Sequence, residues 1–303
     1  MFRISRSKVG KDDCIEIENT TKKNAYLKIN LNQGASLQEL ALKGSRVIQD
    51  MYPLEYKDTY ASAILFPFAN RVKDGRYHFE NNTYQLEVNE KKLDNALHGL
   101  VYNKTFTLVD QEETNELARV KLVYSERDYS KGFPFPYSIF LDYELSECDL
   151  KVKVQVKNVG SKAFPFTIGW HPYFISEDLS SSSLVFESNK KTETDSRNIT
   201  TRVLEIDNIK ELKTDKQGLD DCYVLNSKKI KLFTPEYVMT LESSEEDCFL
   251  QLYTPPFKNA IAIEPTTGIS DSFNNKIGLK KLRPSDSYDI CWSLNVKNRK
   301  NKE

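Results

Sequence analysis

Wherever this chain shows a period, apolar and polar residues alternate one for one, and that excludes the helix as its main building element. The plainest case is Ile139, Leu141, Tyr143 and Leu145 on one face, followed by a polar turn through Ser146, Glu147, Cys148 and Asp149. Leu150, Val152, Val154 and Val156 then alternate with Lys151, Lys153 and Gln155, and the pair predicts a hairpin. Leu27, Ile29 and Leu31 give another strand, ended by Gln33 and Gly34. Tyr84, Leu86 and Val88 give a third, with Asn81 and Asn82 turning it back toward Tyr77 and Phe79. Phe249–Tyr253 and the run Ala260, Ile261, Ala262 and Ile263 are more continuously apolar than the other strands, which predicts burial on both faces. Tyr288, Ile290, Trp292, Leu294 and Val296 form a last alternating strand. No stretch carries a 3.6-residue stripe over three turns. Strands at hairpin spacing without intervening helices predict an all-β chain of antiparallel sheets packed face to face. The polar tract 177–215, with Ser180 to Ser183 and Lys190 to Asp195, is expected to be a loop-rich insertion within one domain spanning 1–303.

Charge and cysteine use narrow the function. The 43 basic and 44 acidic residues leave a net charge of -1, so no electrostatic case exists for nucleic acid or an anionic membrane as partner. The basic tail 297–302 is expected to be a solvated, frayed end. Five dispersed cysteines, Cys14, Cys148, Cys222, Cys248 and Cys291, contain no Cys-x-x-Cys pair and suit free thiols in a reducing compartment. Residues 1–8 lack the apolar core of a signal peptide, and no apolar run reaches membrane-spanning length. A cytoplasmic protein, monomer or homodimer, is the expectation.

Four clusters concentrate chemistry. Ile168-Gly169-Trp170-His171-Pro172-Tyr173-Phe174 sets one of only three histidines in aromatic surroundings, where Pro172 removes a backbone donor and predicts that the chain turns or leaves a sheet. Leu97-His98-Gly99 offers a second imidazole, with a glycine that permits close backbone approach. Phe66-Pro67-Phe68-Ala69-Asn70-Arg71 ends in an amide and a guanidinium, a fork of hydrogen-bond donors. Ile261-Ala262-Ile263-Glu264-Pro265 ends an apolar strand on a carboxylate, where burial tunes its pKa. Each has a plainer alternative: packed histidines, a surface ion pair for Arg71, a structural acceptor in Glu264.

Taken together, these clusters resemble the aldose 1-epimerase (galactose mutarotase) family. Asn70-Arg71, Leu97-His98-Gly99, Gly169-Trp170-His171-Pro172-Tyr173-Phe174 and Ile263-Glu264-Pro265 carry the likeness, together with Gly34-Ala35-Ser36 and the late Leu279, Leu282 and Pro284. The resemblance implies an antiparallel β-supersandwich and interconversion of the α and β anomers of a free aldose. It also implies Glu264 as general base, His171 as general acid, and His98, the third catalytic candidate, with Arg71 holding and polarising the sugar; Asn70 is a further hydrogen-bond partner for it. Gly218-Leu219-Asp220-Asp221-Cys222-Tyr223 resembles the family's Leu-Asp segment. By register Asp220 is the match, with Asp221 and a simple turn as alternatives. The chain departs from the family at Pro284-Ser285-Asp286, where a glycine is usual after the proline. It departs again after His98-Gly99, where Leu100-Val101-Tyr102-Asn103-Lys104 replaces a glycine-rich continuation.

The chemistry asks for the same set. Opening a cyclic hemiacetal needs a base on the C1 hydroxyl and an acid on the ring oxygen, and no cofactor or metal is expected. A carboxylate and an imidazole have ordinary pKa values of ~4.3 and ~6.5, which suits those two roles near neutrality. A charged Glu264 beside His171 is expected to raise the imidazole's pKa. Trp170, Tyr173 and Phe273 are candidates for a flat apolar surface under the sugar, or for core. A metal hydrolase is disfavoured because no metal-ligand spacing is present, and a serine hydrolase because no Gly-x-Ser-x-Gly elbow is. A sugar-6-phosphate 1-epimerase, with extra cations converging on the pocket, and a non-catalytic sugar-binding module remain as alternatives.

Overall fold

A computed structural model describes residues 1–214, 218–256 and 259–299. Twenty strands are linked edge to edge through one continuous antiparallel hydrogen-bond network, and three two-stranded ribbons complete the architecture. Layers of this network pack face to face as a β-supersandwich. The predicted hairpin is present as Tyr137–Ser146 against Asp149–Asn158, in the register Leu145 to Leu150 and Ile139 to Val156. Its inward residues Ile139, Leu141, Tyr143, Leu145, Leu150, Val152 and Val156 are fully buried. Each such aliphatic contributes roughly 1.5–3 kcal/mol on removal from water. Ser287–Asn298 adds to this hairpin through Val152 opposite Trp292. Phe66, Phe133, Tyr137, Phe164 and Phe166 fill the space between layers with edge-to-face and tilted rings. Among the described residues, helix is confined to single turns at Tyr56–Thr59, Leu179–Ser181 and Ser272–Asn275.

Two expectations need correction. The tract 177–215 is no loop-rich insertion: most of it is a long hairpin, Ser183–Thr194 against Thr200–Lys213, with bulges along the pairing. Only Asp215 lies outside the described residues. The second strand exposes most of its residues on both faces, so it carries no apolar alternation to reveal it. The basic tail is also not frayed where it begins. Lys297 and Asn298 pair with Val238 and Tyr237, and Arg299 donates to the Thr234 carbonyl at 2.9 Å. Residues 300–302 lie outside the described residues.

Phe249–Tyr253 and Ala260–Thr266 are buried on both faces, as their composition predicts, and each is also paired along both edges. The sheet breaks where Pro172 predicts. Gly169–Trp170 ends, Tyr173–Ile175 begins, and both pair with Ala260–Thr266. Everything functional below is arranged around that break.

Candidate active site

The register places the first pair. Gly169 stands opposite Thr266 and Tyr173 opposite Ala262, so His171, midway on one strand, faces Glu264, midway on the other. Side chains opposed in this way share a face, with Cβ atoms ~4.5–5.5 Å apart. His171 Nε2 lies 3.4 Å from Glu264 Oε1, and the two side chains are 6% and 3% exposed. Pro172 keeps the ladder open here, while the His171 backbone is clamped from behind: its N–H donates to the Ala63 carbonyl, and its own carbonyl accepts from Ser62 N–H.

The row continues across the sheet. Gln251 is the partner of Glu264 on the far side, and Cys222 is the partner of Gln251. Asp220, two residues from Cys222, therefore lies on the same face, and its Oδ1 accepts from Gln251 Nε2 at 2.7 Å. Asn70 Nδ2 donates to Gln251 Oε1 at 3.3 Å, and Arg71 Nη1 donates to Asn70 Oδ1 at 3.2 Å. Arg71 is gripped from behind by a bidentate pair with Glu90, at 2.9 and 2.8 Å. Glu90 in turn accepts from Asn95 at 2.9 Å. Asn70, Arg71, Asp220 and Gln251 line a cavity of about 340 Å³.

His98 reaches the same place by a strained route. Its strand, Asn95–Leu97, pairs with Arg71–Lys73, and its N–H donates to the Asn70 carbonyl at 2.9 Å. His98 and Gly99 both have positive φ, 61° and 78°. The glycine is required, but for a different approach than the sequence suggests: a Cβ there would lie 2.3 Å from the Phe66 carbonyl oxygen. The His98 ring packs edge-on to His171 at 5.0 Å and to Tyr60 at 4.8 Å. The Nδ1 atoms of both histidines are buried without a hydrogen-bond partner among the described residues. A buried polar atom left so costs ~1–3 kcal/mol until a ligand satisfies it.

Burial sets the protonation states. His171 is pushed down to about 4 by desolvation, and desolvation, reinforced by Asp220, holds Glu264 well above the ordinary carboxylate range. This reverses the expectation that Glu264 raises His171. Desolvation disfavours both charged forms, so when the pair holds one proton that proton rests on the Glu264 carboxyl. Burial, then the neighbouring His171 and Arg71, lowers His98 well below its usual value, so it is a neutral hydrogen-bonding group. Desolvation also raises Asp220.

The sequence model of the aldose 1-epimerase family matches residues 13–291. The chain belongs to the aldose 1-epimerase family. Among curated proteins, an uncharacterised Escherichia coli protein, YihR, is 22% identical over 273 residues, covering 86% of this chain and 87% of its own. A galactose mutarotase-like protein from Clostridium acetobutylicum superposes with a TM-score of 0.86 at 22% identity, over 98% of this chain and 99% of that one. A galactose 1-epimerase from Lactobacillus acidophilus NCFM gives 0.81 at 18% identity, with the same coverage. At these identities the likeness to solved structures is one of fold.

All six residues singled out from the sequence, Asn70, Arg71, His98, His171, Asp220 and Glu264, converge in this family member. Three that were not singled out join them: Gln251, Glu90 and Lys191. Gln251 had a signal, being the lone amide in an otherwise apolar strand; Glu90 had none. Trp170 and Phe273 are core, stacked on Trp292 and packed on Tyr77 and Phe68 respectively. Tyr173 stays beside His171, with ring centres 5.1 Å apart, and packs against Tyr253, which the sequence reading passed over.

The two adjacent aspartates differ in their partners. Both line the cavity, contrary to simple strand alternation, because Ser183–Thr194 pairs with Asp220–Val224 only at Lys190 and Lys191 and diverges beyond. Asp221 is held by Lys191 at 2.6 Å, whereas Asp220 has only the Gln251 hydrogen bond among the described residues. Asp220→Asn is expected to lower sugar kcat/KM by about tenfold or more, the loss of a charge-assisted hydrogen bond. Asp221→Asn is expected to leave neutral-sugar turnover nearly unchanged. Steady-state rates of the two variants check the ranking, and the reverse order would contradict it.

Proposed function

We propose that this protein is an aldose 1-epimerase that interconverts the α and β anomers of a free aldohexose. The observation that carries this reading is the buried His171–Glu264 pair, 3.4 Å apart and facing each other across a break in the sheet. Two groups sharing one proton are what ring opening requires. Glu264 takes the proton of the C1 hydroxyl as His171 gives one to the ring oxygen. The C1–O5 bond breaks, the open aldehyde turns about C1–C2, and reclosure runs the same transfers backward. Each positioned proton transfer is worth ~10²–10⁴-fold. His98 and Arg71 hold and polarise the sugar, and Asn70, Asp220 and Gln251 bind its hydroxyls. A non-catalytic binding module has no need of a buried acid and base in contact, which favours the enzyme. The five free thiols fit a reducing, cytoplasmic setting.

A neutral rather than a phosphorylated sugar is favoured by the charges around the cavity. Its two lining cations, Arg71 and Lys191, are each already paired, with Glu90 and Asp221. Polarimetry over a panel of D-galactose, D-glucose and their 6-phosphates tests the reading. Acceleration of a neutral hexose, undiminished by chelator, is the expected outcome. Among the described residues no group of three or more His, Cys, Asp or Glu side chains is placed to hold a metal ion. Activity lost to chelator and restored by a divalent ion would overturn the acid–base account.

A further inference from the structure

The Lys191–Asp221 pair is unusual in its position. Lys191 projects from the hairpin strand Ser183–Thr194, and Asp221 from Asp220–Val224, across the mouth of the cavity where these strands part. The Lys191 Nζ lies 2.6 Å from Asp221 Oδ1 and 5.8 Å from the centre of the Tyr223 ring, and the Tyr223 hydroxyl donates to Asp221 Oδ2 at 3.4 Å. The ring is a second holdfast for the ammonium that does not depend on the carboxylate. Both charged side chains are only about one-third exposed or less, at 34% and 26%.

The remaining charges of the cavity are acidic or cancelled. Arg71 is matched by Glu90 with bidentate geometry. Glu193 at the rim is matched by Arg202 at 2.6 Å. Asp220, which is solvent-exposed, has no ion pair among the described residues, accepts from Gln251 Nε2, and is close enough to Glu264 to help raise its pKa. Among the described residues that line the cavity, an anionic substituent entering here meets Asp220 and finds no cation without a partner.

We infer that Asp221 is a specificity-determining residue: by masking Lys191 at the cavity mouth it restricts the site to uncharged aldoses and excludes uronic acids. This rests on the epimerase reading above, and concerns which sugars that site accepts. Removing the Asp221 charge leaves the ammonium beside Tyr223, facing the cavity, where it attracts a sugar carboxylate.

The test compares anomer exchange of D-galactose and D-galacturonate, which differ by a carboxylate at C6, in the wild-type protein and three variants. The wild type is expected to favour galactose. Asp221→Asn should raise the galacturonate-to-galactose ratio of kcat/KM by about five- to tenfold, the effect of a unit charge acting across several ångströms of wet cavity. That gain should shrink at high salt, as screened attraction does and a packing change does not. Lys191→Gln, which leaves Asp221 unpaired, should lower the ratio, and Asp221→Asn with Lys191→Gln should restore it to near the wild-type value. A wild type that uses both sugars equally, or a ratio unmoved in all three variants, overturns the inference. A wild type that accelerates neither sugar contradicts the epimerase reading instead.

Discussion

Replacing Glu264 with glutamine is expected to lower the rate of anomer exchange by ~10²–10⁴-fold while leaving sugar affinity within a few-fold of wild type. The amide keeps the volume of the carboxyl and an acceptor oxygen, so the contact with His171 persists. What it loses is basicity: nothing then removes the C1 hydroxyl proton. Burial sharpens the expectation, because water is not at hand to replace a group that is 3% exposed. Rates by polarimetry and affinity by calorimetry separate the two quantities. A variant that loses binding and turnover in equal measure would make Glu264 a ligand rather than a base.

Expected next is a bell-shaped dependence of kcat/KM on pH whose limbs are assigned the opposite way from unperturbed side chains. The pair works only while it holds one proton. Burial brings His171 down to about 4, so activity should fall below that pH as the imidazole takes up a second proton and no base remains. Burial raises Glu264, so the basic limb marks loss of the carboxyl proton and lies well above the usual carboxylate range. Between the limbs the resting proton sits on Glu264, and the reactive arrangement, with His171 charged and Glu264 ionised, is reached by transfer within the pair. Because the two groups interact, the limbs belong to the pair and a variant is needed to assign them. His171→Asn should cut the rate ~10²–10⁴-fold and leave a single ascending limb. That limb should lie near the wild-type basic limb, since Glu264 must now lose its proton to act. An ascending limb near the wild-type acidic limb would return the ordinary assignment. A near-normal rate with an unchanged basic limb would move the acid to His98.

The strands that bury one face were legible because burial writes an alternating pattern, as in Tyr137–Ser146 and Asp149–Asn158. Thr200–Lys213 was not, since a hairpin wetted on both faces needs no apolar side to be a strand. The break at Pro172 was legible from the proline itself. Its meeting with Glu264 was not, because antiparallel register across ninety intervening residues leaves no local trace; only the family resemblance joined the two. The adjacency of Arg71 and Glu90 is hidden for the same reason. The direction of the His171 pKa shift runs against the expectation from charge attraction, whereas burial tunes Glu264 as its apolar strand predicts. Charge attraction can be argued from residue types, but desolvation depends on how much protein surrounds them.

The central claim is that a shared proton between His171 and Glu264 opens and recloses a sugar ring. Exchange NMR on D-galactose labelled with ¹³C at C1 tests it most directly, by following magnetisation transfer between the α and β resonances. Cross-peaks that grow with protein concentration are expected for the wild type, and protein-dependent exchange ~10²–10⁴-fold slower is expected for both Glu264→Gln and His171→Asn. Exchange at the uncatalysed rate with wild-type protein and each aldohexose tried, or undiminished exchange with both variants, would contradict it.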